Sequence, residues 1–164
     1  MASSSINYPL LAIPAYYLFS ILPHVYASAI LSNAGYKVNN ANPKASLSPD
    51  AVKGKVPDAV FQQYQRAESA QSNNAEQMPL FAVAILASLL AERTTATGLG
   101  REAVRGDATG LTTFVVSWFV ARAAYNVAYV MIADHEKSFV RSVCYSVASG
   151  LAFWQIWKAA SLLG

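Results

Sequence analysis

Four stretches of the chain are apolar for long enough to cross a lipid bilayer, and polar segments separate them. A membrane-spanning helix needs about 20 residues, within a range of about 17–25. The stretches that meet this need lie at about residues 8–31, 76–92, 108–133 and 139–163. The pattern predicts an all-α integral membrane protein, a four-helix bundle running up, down, up and down. We expect it to form a single transmembrane domain covering residues 1–164.

The first stretch is predicted to be a retained span. Residues 1–36 contain no Asp, Glu, Lys or Arg. A cleavable signal peptide begins with basic residues and has a shorter apolar core, so this segment does not fit one. Pro9 suits a helix start, whereas Pro14 and Pro23 predict kinks, which neighbouring helices can tolerate in a bilayer.

The second stretch is the end of a longer predicted helix, from Ala59 to Glu92. The first half of this helix is polar, and residues 77–91 are uncharged, so it begins in water and ends in lipid. Residues 32–57 are rich in Asn, Ser, Pro, Gly and Lys and predict a polar loop, partly draped over the rim of a site. Residues 93–107 predict a charged turn.

Composition supports a membrane location and excludes several functions. Hydrophobic residues make up 54% of the chain and charged residues 13%, against about 45–50% and about 25% in soluble domains. The net charge of +3 is scattered, which excludes nucleic-acid binding. His24, His135 and the single Cys144 lack partners at metal-ligand spacing, so no metal site is expected.

The distribution of Lys and Arg predicts the orientation in the membrane. Seven lie in or beside the first and third loops when Arg66 and Arg141 are included, and four lie on the opposite face. Because cytoplasmic loops carry an excess of positive charge, we expect the first and third loops to be cytoplasmic.

Ionisable residues within the spans are the candidates for function, because burying them in a membrane is costly. They form three clusters with neighbouring polar side chains, and each cluster has a structural alternative. The second-helix cluster could be a hydration patch, Arg122 could pair with Glu76 simply to join two helices, and Arg141 could reach lipid headgroups. All three clusters lie in the predicted cytoplasmic half, where together they could line one anion-binding pocket. The clusters are Arg66, Asn73 and Glu76; Arg122, Tyr125, Asn126 and Tyr129; and Arg141, Ser142 and Tyr145.

Three strings resemble a known family. The string RAESAQSNNAEQMPLF at residues 66–81 contains Asn-x-x-Glu followed by Pro-Leu-Phe. The strings ARAAYNVAYV and VRSVCYSVA follow on the third and fourth predicted helices. Together they resemble the MAPEG family, the membrane-associated proteins in eicosanoid and glutathione metabolism, and in particular its prostaglandin E synthase and microsomal glutathione transferase branch.

The resemblance implies a site and an assembly. It implies a homotrimer in the endoplasmic reticulum, with glutathione between adjacent subunits and a lipophilic small molecule entering from the membrane lipids. The implied activating residues are Arg141, which would stabilise the glutathione thiolate, and Ser142. The residues implied to bind glutathione are Arg66, Asn73, Glu76, Arg122, Tyr125, Tyr129 and Tyr145.

The chain also departs from the family pattern. Ser69 and Ser72 stand where the family usually has arginines, and the turn between Tyr129 and Arg141 is longer than in the prostaglandin synthase. Three functions therefore stay open. The first is a membrane-bound glutathione transferase of the microsomal type, or a peroxidase-type enzyme using the same thiolate. The second is a non-catalytic membrane scaffold that binds lipids or a partner protein. A small channel or transporter using Arg122 ranks last.

Overall fold

The computed structural model describes residues 6–98 and 107–164, and within them every regular element is helical. The all-α prediction is confirmed. Four long helices carry the fold, and two short helices and one 3-10 turn lie between them. In chain order the helices are α1 (Tyr8–Asn33), α2 (Pro43–Ser46), α3 (Pro49–Val52), α4 (Asp58–Gly98), α5 (Leu111–Met131) and α6 (Phe139–Leu163), with the 3-10 turn at Glu136–Ser138.

The first helix begins with a side-chain cap. The Oδ1 of Asn7 accepts a hydrogen bond from the backbone N of Leu10 at 2.9 Å, and Pro9 lies in the first turn. A cap of this kind satisfies one of the free N–H groups at a helix start. The helix then continues past both Pro14 and Pro23 to Asn33.

The second long helix ends later than the sequence predicts. It runs to Gly98, whereas we expected a charged turn to begin at residue 93. The hydroxyls of Thr94 and Thr95 donate to the carbonyls of Leu90 and Ala91, four residues earlier, so these threonines continue the helix. The remainder of the expected turn, at 99–106, lies outside the described residues.

The long helices alternate in direction, as predicted. Along α1 and α4, contacts run in opposite order, since Tyr16 meets Asn74 and His24 meets Glu68. Between α4 and α6 they run in the same order, from Gln77 with Tyr145 to Ser88 with Gln155. α4 contacts each of the other three long helices and is the central element of the bundle.

One face of α4 forms the seam against these helices. Its buried residues follow steps of three and four, the spacing that keeps side chains on one face of a helix. They are Tyr64, Ala67, Ala70, Asn74, Gln77, Phe81, Ala84, Ile85, Ser88 and Ala91. Two polar members, Asn74 and Gln77, interrupt an otherwise small or apolar seam at one level.

An aromatic core lies beside that polar level. The ring of Phe81 is 4.9 Å from that of Tyr16 and 5.0 Å from that of Trp118, measured between centroids. All three side chains are buried. This cluster joins α1, α4 and α5 and gives the polar residues beside it a rigid support.

A second polar network closes the opposite end of the bundle. The Thr109 hydroxyl donates to Glu92 Oε1 at 2.7 Å and accepts from Gln155 Nε2 at 3.0 Å. Gln155 also donates to the Ser88 hydroxyl, and Lys158 donates to the Thr109 carbonyl. The segment before α5 is thereby fixed to both α4 and α6.

The first loop is folded onto the ends of α1 and α4. Val52 and Val56 are buried in one cluster with Leu31 and Tyr64. The hydroxyl of Tyr64 donates to the Leu47 carbonyl. The loop is therefore a packed cap that contains two short helices, more ordered than the polar composition suggested.

Three helices, α1, α4 and α5, are long and apolar enough to cross a membrane. α6 has the length, with 25 residues, but it carries Arg141, Gln155 and Lys158 besides several serines. Its role as a fourth span stays a prediction.

Candidate functional site

A polar cavity of about 410 Å³ lies between α4, α5 and the start of α6. Hydroxyl and amide groups make up most of its wall. Arg141 is the one ionised side chain among the described residues that line it, so the cavity favours an anion. Its lining consists of Asn73, Tyr125, Tyr129, Ser138, Arg141, Ser142, Tyr145 and Ser146.

Arg141 is held at the cavity wall while part of its guanidinium stays available. Its Cζ lies 4.7 Å from the centroid of the Tyr129 ring, within the range of a cation–π contact. Its Nε donates to the Ser138 carbonyl at 3.4 Å. Neither Nη atom has a hydrogen-bond partner among the described residues, so both can donate to a bound anion.

Tyr145 is oriented by a glutamine behind it. The Nε2 of Gln77 donates to the Tyr145 hydroxyl oxygen at 2.5 Å. Because that oxygen already accepts, the hydroxyl proton of Tyr145 is free to point into the cavity. Gln77 is itself buried and accepts a hydrogen bond from Ser149 at 3.4 Å.

Arg122 lies beneath the cavity and is completely buried, at 0% exposure. Its Cζ is 4.3 Å from the centroid of the Tyr125 ring and 5.8 Å from that of Tyr145. The guanidinium therefore supports two tyrosines of the cavity wall from behind. Arg122 itself does not line the cavity.

The partner of Arg122 is Asn74, and the expected pairing with Glu76 is wrong. Both Nε, at 3.1 Å, and Nη2 of Arg122 donate to Asn74 Oδ1. Glu76 is exposed and accepts from the Ser72 hydroxyl at 3.3 Å. Residues 74 and 76 are about 200° apart around a helix, so only one of them can face α5.

Arg66 and Asn73 make local contacts on the α4 side. The Nε of Arg66 donates to the Val130 carbonyl at 3.1 Å and joins α4 to the end of α5. The amide of Asn73 donates to the Ser69 carbonyl at 2.9 Å, which leaves its oxygen facing outward. Arg66 does not line the cavity, whereas Asn73 does.

The structure thus brings together six of the ten residues in the three predicted clusters and separates four. On the cavity wall lie Asn73, Tyr125, Tyr129, Arg141, Ser142 and Tyr145. Arg66, Glu76, Arg122 and Asn126 lie outside it. The first loop was expected at the rim of the site, but none of its described residues lines this cavity.

Four residues of the site or its support were missed. Ser138 and Ser146 line the cavity, and Asn74 and Gln77 hold residues around it. The steps of three and four along α4 could have identified Asn74 and Gln77 as inward-facing. Ser146 lies one helical turn after Ser142, so its position could also have been read from the sequence.

Comparison with protein families identifies the chain. The sequence model of the MAPEG family matches residues 13–161, which is nearly the whole length. The chain belongs to the MAPEG family. Searches of curated proteins and of solved structures returned no match.

Family membership places the cavity in a known chemical context. MAPEG proteins are membrane proteins that generally use glutathione, and they include glutathione-dependent transferases and synthases as well as non-catalytic members. The resemblance noted in the three strings is confirmed at the level of this family. Because the polar cavity favours an anion and MAPEG proteins generally use glutathione, glutathione is the ligand to consider for this cavity.

Proposed function

We propose that this MAPEG protein is a membrane-bound glutathione transferase of the microsomal type, acting on a lipophilic electrophile. The observation that carries the proposal is Arg141 on the wall of the polar cavity, whose Nη atoms have no hydrogen-bond partner within residues 6–98 and 107–164. The Ser142 hydroxyl and the hydroxyls of three tyrosines, Tyr125, Tyr129 and Tyr145, accompany it.

The cavity suits the anionic form of a thiol. Glutathione supplies a thiol that, once ionised, attacks an electrophilic carbon and forms a carbon–sulfur bond. A free thiol has a pKa of about 8.5 and is mostly protonated at pH 7. Arg141 cannot remove a proton, but its charged N–H groups favour the thiolate. Ser142 adds a hydroxyl donor on the same wall.

The tyrosines position the bound peptide. Gln77 directs the Tyr145 hydroxyl toward the cavity, and Arg122 fixes the rings of Tyr125 and Tyr145 from behind. Tyr129 holds the Arg141 guanidinium in place. The amide oxygen of Asn73 is available to accept from a backbone N–H of the tripeptide.

The fit to glutathione's two carboxylates is partial within one chain. Arg141 is one cation, and Ser69 and Ser72 provide no further charge nearby. Glu76 and Arg66 also lie outside the cavity of their own chain. We propose that the protein is a homotrimer in which glutathione lies between subunits, and that Glu76, exposed here, meets its amino group there.

The decisive experiment measures glutathione binding and conjugation of a generic electrophile in detergent. Arg141→Ala is compared with the parent and with Lys137→Ala, which removes an exposed cation from the neighbouring turn. We expect the Arg141→Ala rate to fall by about tenfold or more, in line with the loss of a charge-assisted contact to the reacting atom. The Lys137→Ala rate should equal that of the parent. If the parent protein neither binds glutathione nor conjugates the electrophile, the transferase proposal is refuted.

A non-catalytic scaffold that binds lipids or a partner is the second candidate. The serines at 69 and 72 favour it, because they weaken the positive charge around the cavity. The two candidates differ in one measurement. A scaffold gives no conjugation in the parent, and Arg141→Ala leaves its lipid or partner binding unchanged.

The proposed location is the endoplasmic reticulum, with the first and third loops in the cytoplasm. A cysteine at the exposed Lys44, in a Cys144→Ala background, should react with an impermeant thiol reagent from the cytoplasmic side of intact microsomes. If the cysteine reacts only after the membrane is permeabilised, the first loop lies on the opposite side and the proposed orientation is wrong. Cross-linking in native membranes should give a trimer as the largest product.

A further inference from the structure

A second cavity, of about 300 Å³, lies on the opposite side of α5 from the polar one, between α5 and α1. Its wall is apolar except for the side chain of Asn126 and the hydroxyl of Tyr26. Among the residues that the structure describes, none that lines it is charged. The lining is formed by Phe19, Leu22, Pro23, Tyr26, Ala123, Asn126, Val127, Val130 and Met131; we call it the α1–α5 groove.

The hydrogen bonds behind the groove fix the orientation of Asn126. Arg122 has only donors, so the amide atom of Asn74 that faces it must be oxygen. The NH2 of Asn74 therefore faces Asn126 and donates to its Oδ1 at 2.8 Å. The NH2 of Asn126 then points away from Asn74, and it has no hydrogen-bond partner among the described residues.

A free donor at this place needs an acceptor from the membrane. Several groove residues are largely exposed in the single chain, including Leu22 at 56% and Val127 at 64%. Toward the hydrocarbon region of a bilayer water becomes scarce, so an amide N–H that finds no acceptor in the protein is satisfied only by a group of the lipid. The groove therefore combines an apolar channel with one unused N–H donor.

The depth of Asn126 and the absence of charge identify the acceptor. The Tyr26 hydroxyl accepts from Gln63, in the polar half of α4, at 2.8 Å. Because tyrosines are enriched at membrane interfaces, we assign the headgroup level to Tyr26 and to the end of α5 at Met131, which lines the same groove. Asn126 lies five residues before the end of α5 at Met131, about 7.5 Å deeper at 1.5 Å per residue. The headgroup region of a leaflet is about 5–7 Å thick, so this depth corresponds to the ester carbonyls of a glycerolipid. A carboxylate would find no cation in the groove.

We propose that the α1–α5 groove binds one acyl chain of a membrane glycerolipid, whose ester carbonyl accepts a hydrogen bond from the Asn126 NH2. The chain runs inward along Leu22, Ala123 and Phe19. The site is separate from the polar cavity and does not depend on glutathione chemistry.

The first test locates the lipid. The full-length protein is placed in nanodiscs that contain phosphatidylcholine with a photoreactive diazirine in one acyl chain, and the labelled residues are found by mass spectrometry. We expect labels on Leu22, Val127 and Met131. Ala123→Phe should fill the groove and reduce this labelling about fivefold, whereas Ala124→Phe, an equal change at the exposed neighbouring position, should not. Equal labelling in the two variants overturns the proposal, and so does cross-linking of the groove to a second copy of the chain.

The second test concerns the hydrogen bond between the Asn126 NH2 and the ester carbonyl. Unlabelled ester-linked phosphatidylcholine competes with the probe and is compared with an ether-linked analogue that lacks the carbonyl. We expect the ester lipid to compete about three- to tenfold better, the worth of one hydrogen bond. Asn126→Leu should remove this preference. Equal competition in the parent overturns the assigned contact, and stronger competition by oleate overturns the choice of a glycerolipid.

Discussion

The buried guanidinium of Arg122 donates from two nitrogens to a single oxygen, Oδ1 of Asn74. This contact joins α5 to α4 at the level of the polar cavity. A buried charge needs such an acceptor, because it cannot recover its hydration inside a protein. Asn74 in turn donates to Asn126, so one amide connects the cavity side of α5 to the groove side.

Replacing Asn74 should therefore destabilise the fold strongly. We expect Asn74→Leu to lower the free energy of unfolding by about 3 kcal/mol or more, since it removes the oxygen that accepts from two nitrogens of the buried Arg122. Asn73→Leu is the matched control on the neighbouring position, which is only half-buried. Thermal unfolding in detergent measures the difference. Equal midpoints for the two variants contradict the structural role of the pair.

Gln77 should act as a positioning residue for Tyr145. Without its N–H donor, the Tyr145 hydroxyl loses its fixed orientation, so Gln77→Leu should weaken glutathione binding about fivefold. Tyr145→Phe should weaken it similarly, and the double variant should show little additional loss, because both changes remove one interaction. Gln71→Leu, on the same helix but away from the cavity, serves as control. Fully additive losses mean that the two residues act separately.

Arg141→Lys should separate charge from geometry. Lysine keeps the positive charge but lacks the planar fork and the stacking on Tyr129. We expect kcat/KM for conjugation to fall about tenfold in Arg141→Lys. The pH dependence of the conjugation rate should stay close to that of the parent. In Arg141→Ala the thiol pKa should move up, because the charge that favours the thiolate is gone, so its rate deficit should be largest near pH 7 and narrow toward pH 9. If Arg141→Lys shows the same pH profile as Arg141→Ala, the positive charge alone does not set the thiol pKa, and the separation of charge from geometry is wrong.

The hydrogen-bond network around Thr109, at the end of the bundle away from the polar cavity, should affect stability and not activity. Thr109→Val keeps the shape but removes a hydroxyl that bonds both Glu92 and Gln155, and should cost about 1–3 kcal/mol of unfolding free energy. Thr113→Val, at an exposed position in α5, should change little. Thermal unfolding gives the stability, and conjugation per folded molecule should stay at the parent value. A change in that rate shows that the two ends of the bundle are coupled.

The local pattern of apolar and polar residues was sufficient to predict much of this structure. The apolar stretches predicted the long helices, and Tyr8 and Phe139 are observed starting points. The cost of a charge in a membrane predicted that Arg122 turns inward, as its complete burial shows. The spacing of Arg141, Ser142 and Tyr145 placed them on one end of one helix, where they line the cavity.

Other features depended on contacts between distant residues. The sequence offered Glu76 as the partner of Arg122 because opposite charges attract, but the rotation of α4 turns Asn74 toward α5 and Glu76 outward. The first loop was predicted to be a polar loop partly draped over the rim of a site, yet Val52 and Val56 pack against an apolar surface on α1 and α4.

The sequence by itself determined that the chain is helical, belongs in a membrane and carries a set of polar residues near one end, because these follow from helical periodicity and from the cost of charge in lipid. The tertiary structure decided which of those residues share a cavity, and that the uncharged Asn74, not a carboxylate, accepts hydrogen bonds from two nitrogens of the buried Arg122. That choice depends on how each helix is rotated against its neighbours, and rotation is set by packing across the whole seam of α4.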